Sequence, residues 1–137
     1  MECSSAMETN DITAIIVDEA YKIHRDVGPG LLETVYEVLL ADALVLRGLK
    51  VERQVAVPIR VRERHFEEGF RADIIVEDLV IVETKSVDHL AGVHKKQVLT
   101  YLRFSGKRVG LLINFGGELL KGNIERIVDG DAPDLKQ

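Results

Sequence analysis

The stretch RADIIVEDLVIVETKS, from Arg71 to Ser86, constrains the fold more than any other part of the sequence. Two runs of apolar, largely β-branched residues meet at an acidic turn, which is typical of two buried strands joined as a hairpin. Yet Asp73, Glu83 and Lys85 lie inside those runs, where a core favours apolar side chains. Because a buried charge is costly unless it is paired, these three residues need a physical explanation.

The register of this hairpin decides whether the charged side chains can meet. Side chains alternate between the faces of a strand, so Glu83 and Lys85 share a face. A two-residue turn would place Asp73 opposite Val82, whereas a three-residue turn over residues 77–79 would place it opposite Glu83. We favour the three-residue turn because a slip of one residue moves every apolar side chain to the wrong face. Loops of this length are also common in hairpins.

Two carboxylates at about 5 Å on neighbouring strands repel each other unless a positive charge lies between them. Hard divalent cations prefer carboxylate oxygens, so Asp73 and Glu83 predict an Mg²⁺ or Mn²⁺ site, with the main-chain carbonyl of Thr84 as a further ligand. Lys85 would orient or polarise a water at that cation, and this chemistry suits phosphodiester hydrolysis. The alternative is a structural ion pair between Lys85 and one carboxylate, with no catalytic role.

Periodicity along the rest of the chain predicts the element order α-α-β-β-β-α-β. Apolar residues recur at helical spacing after Asp11 and again in the segment that ends at Gly48. Residues 51–61 alternate as in a strand, where Pro58 indicates an edge or a bulge. A third helix over residues 91–105 precedes the apolar strand RVGLLINF, and GNIERIV is a candidate for a last short strand. The pattern predicts a mixed α/β sandwich with an antiparallel meander at its centre.

The length of 137 residues suits one domain, which we expect over residues 10–128, with a disordered tail over 1–9 and a C-terminal tail over 129–137. No apolar run approaches the ~20 residues of a membrane span, so no membrane partner is expected. The single cysteine, Cys3, fits a reducing, cytoplasmic location. The net charge of -5 means that a nucleic-acid partner would have to bind a local basic patch.

The charged hairpin resembles a known catalytic motif. Asp73, followed after the turn by Glu83, Thr84 and Lys85, resembles the signature of the PD-(D/E)XK nuclease superfamily, although Ala72 stands where the name of the motif has proline. The resemblance implies a restriction-endonuclease-like αβββαβ core, with a central mixed sheet flanked by helices and an extra N-terminal helix. It also implies metal-dependent hydrolysis of nucleic acid, DNA rather than RNA, with Asp73, Glu83 and Lys85 as catalytic residues.

A second motif lies in the predicted second helix. The segment GLLETVY, with Gly30, Glu33 and Tyr36, resembles the GxxExxY pattern that names a family of small proteins in the same superfamily. The similarity covers residues 12–128 and includes GLKVERQ and GLLINFG. An acidic residue on the first core helix often completes the metal site of such folds, and Glu33 matches that catalytic and metal-binding role. Glu33 would equally suit a helix start, where a glutamate complements the dipole. We expect Tyr36 in the core with its hydroxyl tethered.

The predicted third helix contributes five further candidate site residues. His94, Gln97 and Tyr101 recur at helical spacing and so share a face. Gln97 and Tyr101 resemble the QxxxY element of RecB-like members, where it borders the active site, so Gln97 is a catalytic candidate. Tyr101, His94, Lys95 and Lys96 are candidates for binding substrate, since lysines contact the phosphate backbone. The alternatives are a solvated face for the polar residues and packing on the sheet for Tyr101.

Two functions of different classes remain open from the sequence. The first is an Mg²⁺- or Mn²⁺-dependent nuclease, favoured by the complete set Asp73, Glu83, Lys85 and Glu33. The second is a non-catalytic binding or assembly module that keeps the nuclease fold and its ion pairs, favoured by the acidic net charge. A domain this small has little surface with which to grip DNA, which leaves a homodimer or a larger complex open.

Overall fold

The computed structural model describes residues 7–130, so most of the two expected tails, and Cys3 with them, lies outside the described residues. The elements follow the predicted order, and the last short strand is present. The three helices are α1 (Thr9–Val27), α2 (Glu33–Leu46) and α3 (Gly92–Ser105). The five strands are β1 (Val51–Val61), β2 (Arg64–Val76), β3 (Val80–Lys85), β4 (Val109–Asn114) and β5 (Ile124–Val128).

All five strands form one sheet in the order β1-β2-β3-β4-β5. Strands β3 and β4 are parallel, and every other neighbouring pair is antiparallel. A parallel pair requires a crossover connection, which α3 supplies between β3 and β4. The predicted fold class is confirmed: the sheet is mixed and carries helices on both faces.

Two hydrophobic clusters lie on the two faces of the sheet. Helices α1 and α2 cover the face that includes Ile74, Val82 and Leu111. Helix α3 covers the other face, which includes Ile81 and Leu112. Strands β3 and β4 are therefore apolar on both sides, as expected for a parallel pair at the centre of a sheet.

Tyr36 is fully buried and fixes the start of α2, as the sequence predicted. Its hydroxyl donates to the Gly28 carbonyl at 2.6 Å and accepts from the Leu31 amide at 3.1 Å. Its ring stacks on Phe115 with 4.6 Å between centroids. The segment before α2 is thereby anchored to the end of β4.

Strand β1 is an edge strand, and its pairing with β2 is irregular at Pro58, as predicted. Val57 pairs with Phe70, but Ile59 pairs with Phe66, so β2 has a bulge opposite the proline. A side chain at Gly69 would place its Cβ 2.4 Å from the Ile59 side chain, which explains the glycine. A bulge bends and twists a strand pair, so the two strands change direction here.

Candidate active site

The β2–β3 hairpin has the three-residue turn that the sequence favoured. Ile75 pairs with Ile81 and Ile74 with Val82, so residues 77–79 form the turn. This register places Asp73 across from Glu83. The paired ladder ends at Ile74 and Val82, and the two carboxylates follow at once.

Beyond this point side chains replace the main-chain ladder. The amide of Asp73 donates to Glu83 Oε2 at 2.9 Å. The amide and the hydroxyl of Thr84 donate to Asp73 Oδ2 at 3.0 and 3.2 Å. The Asp73 carboxylate therefore lies in the gap between the strands. One oxygen of each carboxylate accepts from the opposite strand of the hairpin, and within residues 7–130 the hairpin gives no hydrogen bond to Asp73 Oδ1 or Glu83 Oε1.

The site is short of positive charge. Glu83 is 4% exposed. Burial, followed by the charge of Asp73, raises the pKa of Glu83 to about 8, and Lys85 offsets this only in part. Lys85 is half-buried and forms no ion pair with any residue in the range 7–130. The alternative of a structural ion pair at Lys85 thus finds no support in these contacts.

A divalent cation fits this chemistry if water or substrate completes its coordination. No group of three or more histidine, cysteine, aspartate or glutamate side chains within residues 7–130 is arranged to hold a metal ion. Mg²⁺, however, is usually held by one or two carboxylates with waters and substrate phosphates. The Thr84 carbonyl lies on the same side of β3 as the Thr84 amide, which faces Asp73, because both groups of a paired strand residue point one way. Asp73, Glu83 and this carbonyl therefore surround one gap.

Helix α2 reaches the site through Glu37, which was not among the residues predicted from the sequence. Glu37 is 3% exposed. Its carboxylate accepts from Arg53 at 2.9 Å and from Gln54 Nε2 at 3.0 Å. Gln54 Nε2 also lies 3.5 Å from Asp73 Oδ1. The available signal was a glutamate one turn after Glu33 in a mostly apolar helix, followed by the pair Arg53–Gln54 in the next strand.

Glu33, the predicted acidic residue of this helix, is the first residue of α2 and is exposed. No contact joins it to Asp73 or Glu83 in the described chain. Ser86 Oγ donates to the Leu31 carbonyl at 2.7 Å, so the start of α2 lies beside the end of β3. Glu33 therefore lies near the rim of the site, and its metal-binding role stays a prediction.

At Gln54 the regular alternation of side chains between the two faces of β1 is interrupted. Its φ of 53° lies in the left-handed region, which few non-glycine residues adopt. Val51 packs with the cluster under α1 and α2, whereas Val55 packs with the cluster under α3, although the two residues are four positions apart and regular alternation would put them on one face. The alternation of side chains is thus inverted at Gln54. This inversion brings its amide between Glu37 and Asp73.

Helix α3 brings Tyr101 to the edge of the site. Its ring stacks on Phe70 with 4.0 Å between centroids. Burial, followed by the charges of Glu83 and Asp73, raises the pKa of Tyr101. Gln97 is half-buried one turn earlier on the same helix. Tyr101 therefore lies near the two carboxylates, no hydrogen bond within residues 7–130 joins Tyr101 or Gln97 to them, and the role of Gln97 stays a prediction.

The other α3 candidates have local partners. His94 Nδ1 accepts from the Ala91 amide at 3.0 Å and so caps the helix start. Lys95 lies 3.5 Å from a carboxylate oxygen of Glu125. Lys96 is exposed. Their contact with substrate stays a prediction.

Fold and site together define a restriction-endonuclease-like α/β protein with a carboxylate pair at the end of a central hairpin. The model of the PD-(D/E)XK nuclease superfamily matches residues 10–127, and the chain belongs to this superfamily. Comparisons with curated proteins and with solved structures gave no match. Membership suggests metal-dependent nuclease activity on a nucleic-acid substrate, and nucleases of this superfamily generally use divalent metals. None of the helices within residues 7–130 has the length and apolarity to cross a membrane.

Proposed function

We propose that this protein hydrolyses phosphodiester bonds in DNA with Mg²⁺ or Mn²⁺. The observation that carries the proposal is the pair Asp73 and Glu83, each with one oxygen held by the opposite strand. The raised pKa of Glu83 adds support, because a carboxylate pair that lacks positive charge favours a bound cation. The Gly30, Glu33 and Tyr36 pattern supports a place in the GxxExxY family. A cytoplasmic location stays a prediction.

The hairpin residues divide two tasks in this proposal, cation binding and orientation of the reacting groups. Asp73, Glu83 and the Thr84 carbonyl hold the cation. When bound, a divalent cation there stabilises the negative charge on the phosphate and makes water a stronger nucleophile at neutral pH. The Lys85 ammonium donates hydrogen bonds to the attacking water or to a phosphate oxygen and thereby orients it.

Residues around the hairpin have supporting tasks. Gln97 donates or accepts a hydrogen bond at the substrate, and Tyr101 lines the site with its hydroxyl. Glu33 is the candidate for a third acidic ligand at the rim. His94 and Lys96 are proposed to contact the phosphate backbone, with Lys95 contributing when it leaves Glu125.

A non-catalytic binding or assembly module is the second candidate. The net charge of -5 and the ion pair of Lys95 with Glu125 favour it, because both reduce attraction for a phosphate backbone. In this case the carboxylate pair would be a structural remnant. It predicts no metal-dependent activity.

The test compares Lys85→Ala with Asp73→Ala in a cleavage assay with and without Mn²⁺, on single- and double-stranded DNA and RNA. Lys85→Ala should lose about 10²–10³ in rate, as expected for one electrostatic contact to the reacting group. It should keep the Mn²⁺ affinity, because an ammonium is not a ligand. Asp73→Ala should lose cation binding and activity together.

Lys121→Ala is the matched control, because Lys121 is an exposed lysine in the connection between β4 and β5 and is not part of the β2–β3 hairpin. It should cut as the wild type does. If the wild type cuts no substrate with Mn²⁺, and Lys85→Ala changes only the melting temperature, the module is the correct assignment.

A further inference from the structure

The β1–β2 pair extends beyond its bulge as a ribbon of two strands, which we call the β1–β2 tip (residues 59–66). Its pairs are Ile59–Phe66, Arg60–His65 and Val61–Arg64, closed by a two-residue turn. Val61 and Phe66 are 42% and 44% exposed, so neither helical layer covers their side chains. The ribbon therefore projects from the sheet.

The tip is basic although the molecule is acidic. Residues 59–66 contain three arginines, Arg60, Arg62 and Arg64, and one acid, Glu63. Their net charge is therefore +2 with His65 neutral, whereas the whole chain has a net charge of -5. These arginines are exposed and form no ion pair or side-chain hydrogen bond with residues 7–130. Elsewhere the arginines at 25, 47, 53 and 71 each have an acidic partner. Arg60 and Arg64 lie on opposite faces of the ribbon and Arg62 lies in its turn, so three unpaired guanidinium groups surround one projection and together attract a polyanion.

The tip and the candidate site share a strand. Arg64 precedes Asp73 by nine residues in β2, so they lie at most about 30 Å apart at ~3.3 Å per residue. A DNA duplex rises about 3.4 Å per base pair, so this span equals roughly nine base pairs. A two-stranded ribbon also has a size that the major groove of B-DNA admits. One duplex can therefore touch the tip and the hairpin at once.

We propose that the β1–β2 tip binds the phosphate backbone of double-helical nucleic acid, with Arg60, Arg62 and Arg64 as the contacts. The identity of that duplex as the substrate rests on the proposed nuclease function. The bulge at Pro58 and Gly69 sets the angle at which the ribbon leaves the sheet. The tip supplies the basic patch that an acidic chain needs in order to bind DNA.

The test is the salt dependence of binding to a 20-base-pair duplex, measured by fluorescence anisotropy in EDTA so that no cleavage occurs. The variant carries Arg60→Gln, Arg62→Gln and Arg64→Gln together. Each lost phosphate contact lowers the slope of log K against log salt by about 0.9, so the slope should fall by roughly two to three units. The control carries Arg25→Gln, Arg103→Gln and Lys121→Gln, which remove the same charge from other exposed positions, and it should keep the wild-type slope. Circular dichroism confirms that both variants are folded.

Equal slopes for the tip variant and the wild type overturn the proposal, and so does a wild type that binds no duplex. A loss confined to single-stranded DNA of the same sequence overturns the assignment to a double helix. The nuclease function is judged separately. If the protein binds duplex through the tip but never cuts, the tip proposal stands and the nuclease function is rejected. If the protein cuts but the tip variant keeps the wild-type slope, the nuclease function stands and the tip proposal is rejected.

Discussion

At the scale of single residues, the surroundings of Glu83 disfavour the ionised form of its side chain. It is buried beside Ile81 and Asp73, and its carboxylate accepts a hydrogen bond from the Asp73 amide. That bond and Lys85 favour the charged form, but burial and the nearby Asp73 charge outweigh them. Ionised Glu83 therefore lowers the free energy of unfolding, and a bound cation would offset its charge.

Without metal, the free energy of unfolding should fall as pH rises from about 4.5 to about 8. The pKa of Glu83 is 4.5 when the side chain is exposed and about 8 in the fold, so the native state keeps a proton that the unfolded chain has released. At about 1.4 kcal/mol per pKa unit the loss is on the order of a few kcal/mol. Urea denaturation in EDTA at pH 5 and pH 9 measures it.

Glu83→Gln is the comparison, because its amide oxygen still accepts from Asp73 and carries no charge. This variant should lose most of the pH dependence and be the more stable protein at pH 9. Parallel pH profiles for wild type and Glu83→Gln would show that Glu83 titrates at its ordinary pKa.

At the scale of elements, Gln54 joins helix α2 to the two strands that form the site. Glu37 holds its side chain, and Arg71 donates to its carbonyl at 2.9 Å. Its side-chain amide then faces Asp73 Oδ1, the oxygen that Thr84 does not hold. A residue placed this way orients a metal ligand without binding the metal itself.

Gln54→Gly should weaken Mn²⁺ binding by about 10- to 100-fold, the usual effect of removing such an outer partner. Glycine adopts a positive φ at low cost, so the backbone and its bond from Arg71 should persist. Isothermal calorimetry measures the affinity. The control is Glu19→Gln, which alters a buried acid of α1 bound to Arg47 and should leave the affinity within about twofold. An unchanged affinity in Gln54→Gly would remove Gln54 from the site.

At the scale of the whole molecule, Asn114, the last residue of β4, connects the segment that follows β3 with the segment that precedes β5. It is fully buried and pairs with Lys85 along the parallel strands. Its amide group donates to Val87 and Asn123, and its oxygen accepts from Val87 and Gly116, all within 3.0 Å. The loop that follows Lys85 is thereby held against the end of β4.

Asn114→Ala should destabilise the whole fold by on the order of 3 kcal/mol, because it leaves several buried polar groups without a partner. Chemical denaturation measures this loss. Asn10→Ala, which removes one exposed bond to Arg126, should change stability by less than about 0.5 kcal/mol. A similar effect in both variants would mean that water replaces the Asn114 contacts.

The sequence by itself determined the hairpin, its register and the position of its charges. Period-two alternation allows only one register that buries Ile75 and Ile81 together, and that register also brings Asp73 opposite Glu83. The tethered Tyr36 and the irregular pairing at Pro58 followed from equally local rules. Such features depend on neighbouring residues and on the two faces of a strand, which a sequence displays directly.

Only the tertiary structure decided which groups surround those charges. Glu33 and Glu37 are one turn apart on α2, and periodicity cannot say which of them reaches the strands, because that depends on how far the helix slides along the sheet. The left-handed turn at Gln54 inverts the faces of β1, and it is held by Glu37, a partner distant in sequence. The arginines of the β1–β2 tip are likewise unpaired because no acidic side chain within residues 7–130 packs against the tip. Contacts between distant segments set these features, and no local pattern encodes them.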